Sequence, residues 1–238
     1  MKTYLNVSND QLQQIYTMSK PGVFGLTIVA LVVGYLLRNH VDHLLLYGGL
    51  TAHLVILIFR VYVISLYKKM STPNPQQWML FFTFGTFLSG AAWGGLVIVL
   101  NETINIEYQY LLFAIIIGLA GAGIATLGIV FTTYLSFLLP MTLPILVWLL
   151  FQEGEIYHIG AGLYLLGIIY LSLTSFRVTN NQKSLTAKNA EIIETQLEII
   201  KRLGVAGEYR DNDTGEHVAR MSQNCQLLAQ SLGYDTTF

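Results

Sequence analysis

Two stretches of this sequence hold residue types able to do chemistry. The first is 207–220, which reads Gly-Glu-Tyr-Arg-Asp-Asn-Asp-Thr-Gly-Glu-His-Val-Ala-Arg. Asp213 and His217 lie four residues apart around a Thr214-Gly215 pair. Residues 211–215 have turn composition, and Asp213 or Thr214 is suited to cap a helix starting near Glu216. His217 then falls in the first turn of that helix, where it and Asp213 could face one site. Carboxylate and imidazole are both metal ligands, but a complete site takes at least three or four of them. The second stretch holds His53 and Arg60, seven residues apart on one face of an apolar helix, and ionisable groups in such surroundings mark functional sites by default. Arg60 lies towards the helix end and reads as snorkelling to the surface. His53 has two readings, a ligand contact or a neutral histidine bonded to a neighbouring helix. Trp93 also has two, lining a cavity or wedging helices apart.

The elements that must position these groups are membrane helices. Of the 238 residues, 53% are hydrophobic and only 11% charged, far from the balance of a water-soluble domain. Residues 61–176 contain just two Lys and four Glu. About 20 apolar residues in a helix span a bilayer, because lipid offers no partner for free backbone groups. Six runs meet this need, at 23–37, 44–66, 78–100, 110–130, 134–151 and 157–176. The fourth and fifth are joined so closely around 131–133 that they must form a hairpin. The predicted fold is therefore all-α and polytopic, with six transmembrane helices in 22–177.

Lys and Arg concentrate in cytoplasmic loops. Here Lys2, Lys20, Lys68, Lys69 and the tail after Arg177 lie on one side, while the other side has Arg38 against Asp42, Glu102, Glu107, Glu153 and Glu155. This predicts a membrane protein with both termini in the cytoplasm. The single cysteine, Cys225, excludes an internal disulfide framework and fits a reducing compartment. No cleavable leader is evident near the start, so the first span is expected to target the chain. Residues 1–21 read as a cytoplasmic amphipathic segment, with Leu12, Ile15 and Tyr16 on one face of a short helix lying on the inner leaflet.

Small residues mark two helices: Gly90 and Gly94 in the third, Gly118 and Ala122 in the fourth. Such spacing favours close helix packing over a ligand cavity. Pro140 and Pro144 remove two backbone donors from the fifth helix, leaving carbonyls that need other partners and a bend that is either static or mobile. No Asp or Glu lies within any of the six runs, which argues against an ion pathway or proton relay. There is no basic patch for nucleic acid.

After Phe176 the composition turns polar. Leu185, Ile192 and Ile199 repeat every seven residues, as in a short parallel coiled coil continuous with the sixth span. Residues 178–207 are thus expected to be a signalling helix through which two protomers pair. The helix after the Thr-Gly turn carries Val218, Met221, Cys225, Leu228 and Leu232 on one face and should stop at Gly233.

The stretch 195–235 resembles the first two helices of HD-GYP domains, α-helical HD-type enzymes that hydrolyse cyclic di-GMP. It contains Glu-Tyr-Arg-Asp, Asp-Thr-Gly-Glu-His and Leu-Leu-Ala-Gln-Ser-Leu-Gly. The resemblance implies that Asp213 and His217 belong to a metal site, with Glu208, Arg210, Asp211, Thr214 and Gly215 as motif scaffold. Many family members have glutamate where this chain has the shorter Asp213. The His-Asp pair and Gly-Tyr-Pro loop that name the family do not occur in these 238 residues. The expectation is that 208–238 form the start of such a domain, without a complete catalytic centre. In a complete domain, the resemblance implies two or three iron or manganese ions holding a hydroxide that attacks the phosphodiester.

The apolar half is similar to a six-helix module placed before bacterial diguanylate cyclases, phosphodiesterases and histidine kinases. Phe59-Arg60, Ser89 to Gly94, the Gly-Ala-rich fourth helix and Leu139-Pro140 with Pro144 carry that similarity. The expected function is a membrane receptor, a parallel homodimer in the lipid bilayer, whose lipophilic signal ligand controls an attached cyclic di-GMP phosphodiesterase. The alternatives are a binding-only receptor with a degenerate output domain and, more distantly, a small transporter with a regulatory tail.

Overall fold

The computed structural model describes residues 9–70, 74–101, 104–210 and 217–231. Among these, seven helices occur and no strand. They are α1 (Asn9–Leu37), α2 (His43–Lys69), α3 (Pro75–Asn101), α4 (Ile106–Leu127), α5 (Phe131–Phe151), α6 (Glu155–Arg210) and α7 (His217–Ser231). The first six are long and apolar enough to cross a membrane. Their composition is apolar on every face, since Phe24, Leu44, Val55, Leu80 and Leu163 all point away from the core. Exposed apolar surface of this extent suits lipid, not water.

Local chemistry sets the helix boundaries. The Asp42 carboxylate accepts from the Leu44 amide at 2.7 Å and caps α2, satisfying one of the free donors of the first turn. Asn74 does the same for α3, accepting from the Gln76 amide at 3.1 Å, and Pro75 follows where a missing N–H costs nothing. Lys68 and Lys69 close α2, where positive charge complements the helix dipole.

The chain divides into two compact units, 1–182 and 183–238. In the first, α3 is the hub, packing most extensively on α5 and next on α2. An alanine Cβ at Gly90 would stand 2.2 Å from the Phe137 carbonyl oxygen, and one at Gly94 would stand 2.1 Å from that of Pro140. Both are inside contact distance, so only glycine lets the two backbones meet. The Pro140 carbonyl is the one that Pro144, lacking an N–H, leaves without its helical donor. Gly94 lies over it, a geometry that permits a weak Cα–H···O contact.

Hydroxyls extend the same seam. Thr83 bonds Thr133 at 3.2 Å, and Thr86 bonds Ser136 at 3.0 Å. Tyr134 of α5 donates to the Ala120 carbonyl of α4 at 3.0 Å. On α6, Ala161, Tyr164, Ile168, Ser175 and Thr179 form the buried stripe, and the Thr179 hydroxyl donates to the Gly128 carbonyl at 2.6 Å.

The start of the chain departs from expectation. Residues 9–37 form one helix with Pro21 inside it, in place of a separate surface helix ahead of the first span. Leu12, Ile15 and Tyr16 are fully buried. Tyr16 stacks on Tyr67 with ring centroids 4.0 Å apart and donates to the Trp78 carbonyl at 2.9 Å. The stripe that sequence periodicity assigned to a leaflet thus packs on the ends of α2 and α3, because aromatic partners there bury it more completely. The joint between α4 and α5 also falls earlier than 131–133, at 128–130.

In the second unit, the part of α6 from 183 to 203 is exposed throughout, including Leu185, Ile192 and Ile199. An ion pair joins Arg202 to Glu198 one turn away. In α7, Met221, Cys225 and Leu228 are exposed.

Candidate functional site

Arg60 is 5% exposed. The snorkelling expected of it does not occur. It lies nine residues before Lys69, about 14 Å along the helix axis from the lysine that closes α2 at 1.5 Å per residue. Its side chain turns into the bundle and donates from Nη1 to Ser89 Oγ of α3 at 3.3 Å. Ser89 in turn donates to the Gly85 carbonyl at 3.1 Å. A Cβ at Gly85 would come within 3.1 Å of Arg60 Cγ, so the glycine leaves room for the arginine stem. The Phe82 ring centroid is 5.9 Å from the guanidinium carbon, close enough for a cation–π attraction.

Beside Arg60 lies a cavity of about 310 Å³, at the lower end of the range for small-molecule sites. Pro21, Gly25 and Leu26 of α1, Ala122 of α4 and Phe137 of α5 line it together with Arg60. Pro21 and Ala122 are exposed, whereas Leu26, Phe137 and Arg60 are buried. The space therefore leads from the outer surface between α1 and α4 inward to the guanidinium. Apart from that group its walls are almost entirely apolar.

His53 and Trp93, which the sequence offered separately, are in contact. Their rings meet edge-on with centroids 5.2 Å apart. His53 is 6% exposed. Its Nε2 and the Trp93 indole N–H are both buried without a hydrogen-bond partner. The bond to a neighbouring helix foreseen for the histidine is thus not made at Nε2. Both residues border one small space with Gly49 and Leu96, and His53 also borders a cavity of about 140 Å³ with Tyr47 and Thr51. An orphaned buried polar atom carries a desolvation cost, and a ligand or water bearing both a donor and an acceptor would relieve it.

Of the four small residues expected to pack helices, Gly90 and Gly94 meet the backbone of a neighbouring helix more closely than any other described glycine. Gly118 has open space beside it, and Ala122 is exposed at the mouth of the Arg60 cavity. The close packing expected of those two is not made within this chain, because α4 turns its other face, with Leu112, Ile116, Ala120 and Gly123, to the core.

Glu208 and Arg210 fall in the last turn of α6, and His217 opens α7. Asp211, Asp213, Thr214 and Gly215 lie outside the described residues, so the geometry of the anticipated metal site is not defined. Among the described residues, no three His, Cys, Asp or Glu side chains gather into a metal-binding group.

Fold and site together define a six-helix apolar bundle with a buried cation at an apolar cavity, followed by a polar helical tail. No known protein family, curated protein or solved structure matches the chain.

Proposed function

We propose that this chain is the sensing part of a bacterial inner-membrane receptor that controls a cyclic di-GMP phosphodiesterase of HD-GYP type. The carrying observation is α6, one helix from Glu155 to Arg210, which joins the sixth apolar span to the Glu-Tyr-Arg-Asp motif. A ligand in the bundle acts on the output only by binding two arrangements of the bundle with different affinity, and α6 is the covalent route between them.

Both termini lie in the cytoplasm in this reading, as the placement of Lys20, Lys68, Lys69 and Arg177 favours. The exposed heptad positions Leu185, Ile192 and Ile199 support pairing of two copies in parallel, since a stripe of that spacing is buried by its own repeat. About three heptads are marginal alone, so the membrane bundle or the output domain contributes to dimer formation.

Asp213 and His217 are the proposed metal ligands contributed by this stretch. Carboxylate and imidazole both suit iron or manganese, and these two fall short of the three or four ligands of a complete site. Bound metal would supply a hydroxide for attack on phosphorus and stabilise the developing charge. Turnover of cyclic di-GMP by the protein carrying this chain and a full output domain, assayed with iron and with manganese, tests the reading. Hydrolysis with either metal is expected, and none with both overturns the enzymatic assignment.

A further inference from the structure

We propose that the cavity beside Arg60 binds a single-chain anionic amphiphile, with its carboxylate or phosphate on the guanidinium and its tail against α1 and α4. The inference deepens the receptor reading and rests on the bundle lying in a bilayer, but it needs no output domain.

The argument begins with charge. Arg60 carries a fixed positive charge in the bundle interior, and a buried charge without a counter-ion is costly. Guanidinium has five donors, and Ser89 Oγ takes the single hydrogen bond made among the described residues. No carboxylate among them pairs with it; among the described residues the one ion pair is Arg202–Glu198. Nor can a second copy supply the counter-charge at this depth, because residues 44–66, 78–100, 110–130, 134–151 and 157–176 contain no Asp or Glu. No described residue supplies the missing anion, so a ligand is its source.

Geometry then selects its class. A planar guanidinium fork matches carboxylate or phosphate oxygens in pairs. The approach to it is apolar and narrows from exposed Pro21 and Ala122 to buried Leu26 and Phe137. Pro21 follows Lys20, so in a bilayer the mouth opens at the cytoplasmic edge of the bundle and continues past Ala122 among acyl chains, where an apolar tail can enter laterally and stay desolvated. A small hydrophilic anion would find only the Thr126 hydroxyl along this route before reaching Arg60. An acyl carboxylate and a lipid phosphate share the required chemistry.

Equilibrium uptake of radiolabelled dodecanoate by the full chain in phosphatidylcholine nanodiscs tests the proposal, with dodecanol as the uncharged control. Saturable dodecanoate binding is expected, at least tenfold tighter than dodecanol. Arg60→Met should weaken it at least tenfold, and Arg60→Lys should restore part of the loss. Gly25→Leu should weaken it comparably with the arginine intact, because a Cβ there meets nothing within 4 Å and the side chain fills the cavity. If Arg60→Met does not fold, Gly25→Leu decides alone. Competition by added lysophosphatidylglycerol, a single-chain lipid with a phosphate, would identify a lipid headgroup as the natural source, and lack of competition a free acyl anion. Non-saturable uptake, or unchanged affinity in the folded variants, overturns the proposal.

Discussion

The two flanks of the bundle are built in opposite ways. Along α3 and α5, glycines bring backbones into direct contact and four hydroxyls bridge the helices in pairs. Between α1 and α4, glycines and alanine leave a cavity of about 310 Å³ that a buried arginine borders. The same small residues thus serve opposite ends, and what differs is whether an opposing backbone fills the space they leave. Close-packed regions resist change, whereas a cavity with an unpaired charge has a reason to change when an anion arrives. The α3–α5 seam is the fixed frame in this account, and the α1–α4 flank is the responsive part.

Substitution of the seam glycines should break this contrast most severely. Gly94→Val places a side chain into the Pro140 carbonyl and should cost about 3 kcal/mol or more, read as loss of the folded bundle in thermal unfolding. Gly118→Ala, with open space around it, should stay within about 0.5 kcal/mol of the parent. Similar losses at both positions would erase the distinction between frame and flank.

Arg60→Met should act in the reverse direction on stability. Exchanging an uncompensated buried charge for an apolar side chain of similar length removes a desolvation penalty, and a gain of about 1 kcal/mol is expected. Stability rising while dodecanoate binding falls is the signature of a residue kept for function. A large loss of stability would instead make Arg60 part of the frame.

Thr179→Val, which removes the donor to the Gly128 carbonyl, should cost about 1 kcal/mol. His53→Leu should be closest to neutral in unfolding, since it removes an orphaned nitrogen, yet it should alter the response to the signal. Cyclic di-GMP turnover of the full protein with and without signal would show this, and an unchanged response would remove His53 from the sensing site.

Much of this architecture was legible from the sequence. Six runs without acids implied helices able to cross a membrane, and six helices of that length and composition are present; the heptad after Phe176 implied continuation of the sixth helix, which α6 shows from Glu155 to Arg210. Gly90 and Gly94 were readable as packing residues because their spacing matches successive helical turns. Periodicity does not say which surface a stripe meets, however. Leu12, Ile15 and Tyr16 had the pattern of a helix lying on a membrane, and their partners Tyr67 and Trp78 are more than fifty residues away in sequence. Arg60 was misread for a related reason. Lys68 and Lys69 already marked the interface, so an arginine nine residues further in was too deep to be held there, and Gly85 with Ser89 on the next helix offered it both space and an acceptor. The Arg60 cavity itself, made by residues from α1, α2, α4 and α5, has no local signature.

Fusion of a compartment-sensitive reporter after Val205, with further fusions near Asp42 and Glu153, is the most direct test of whether an embedded bundle presents its tail to the cytoplasm. The account predicts cytoplasmic activity at Val205 and external activity at the other two sites. A tail found outside the cell membrane, where cyclic di-GMP is not made, would contradict it.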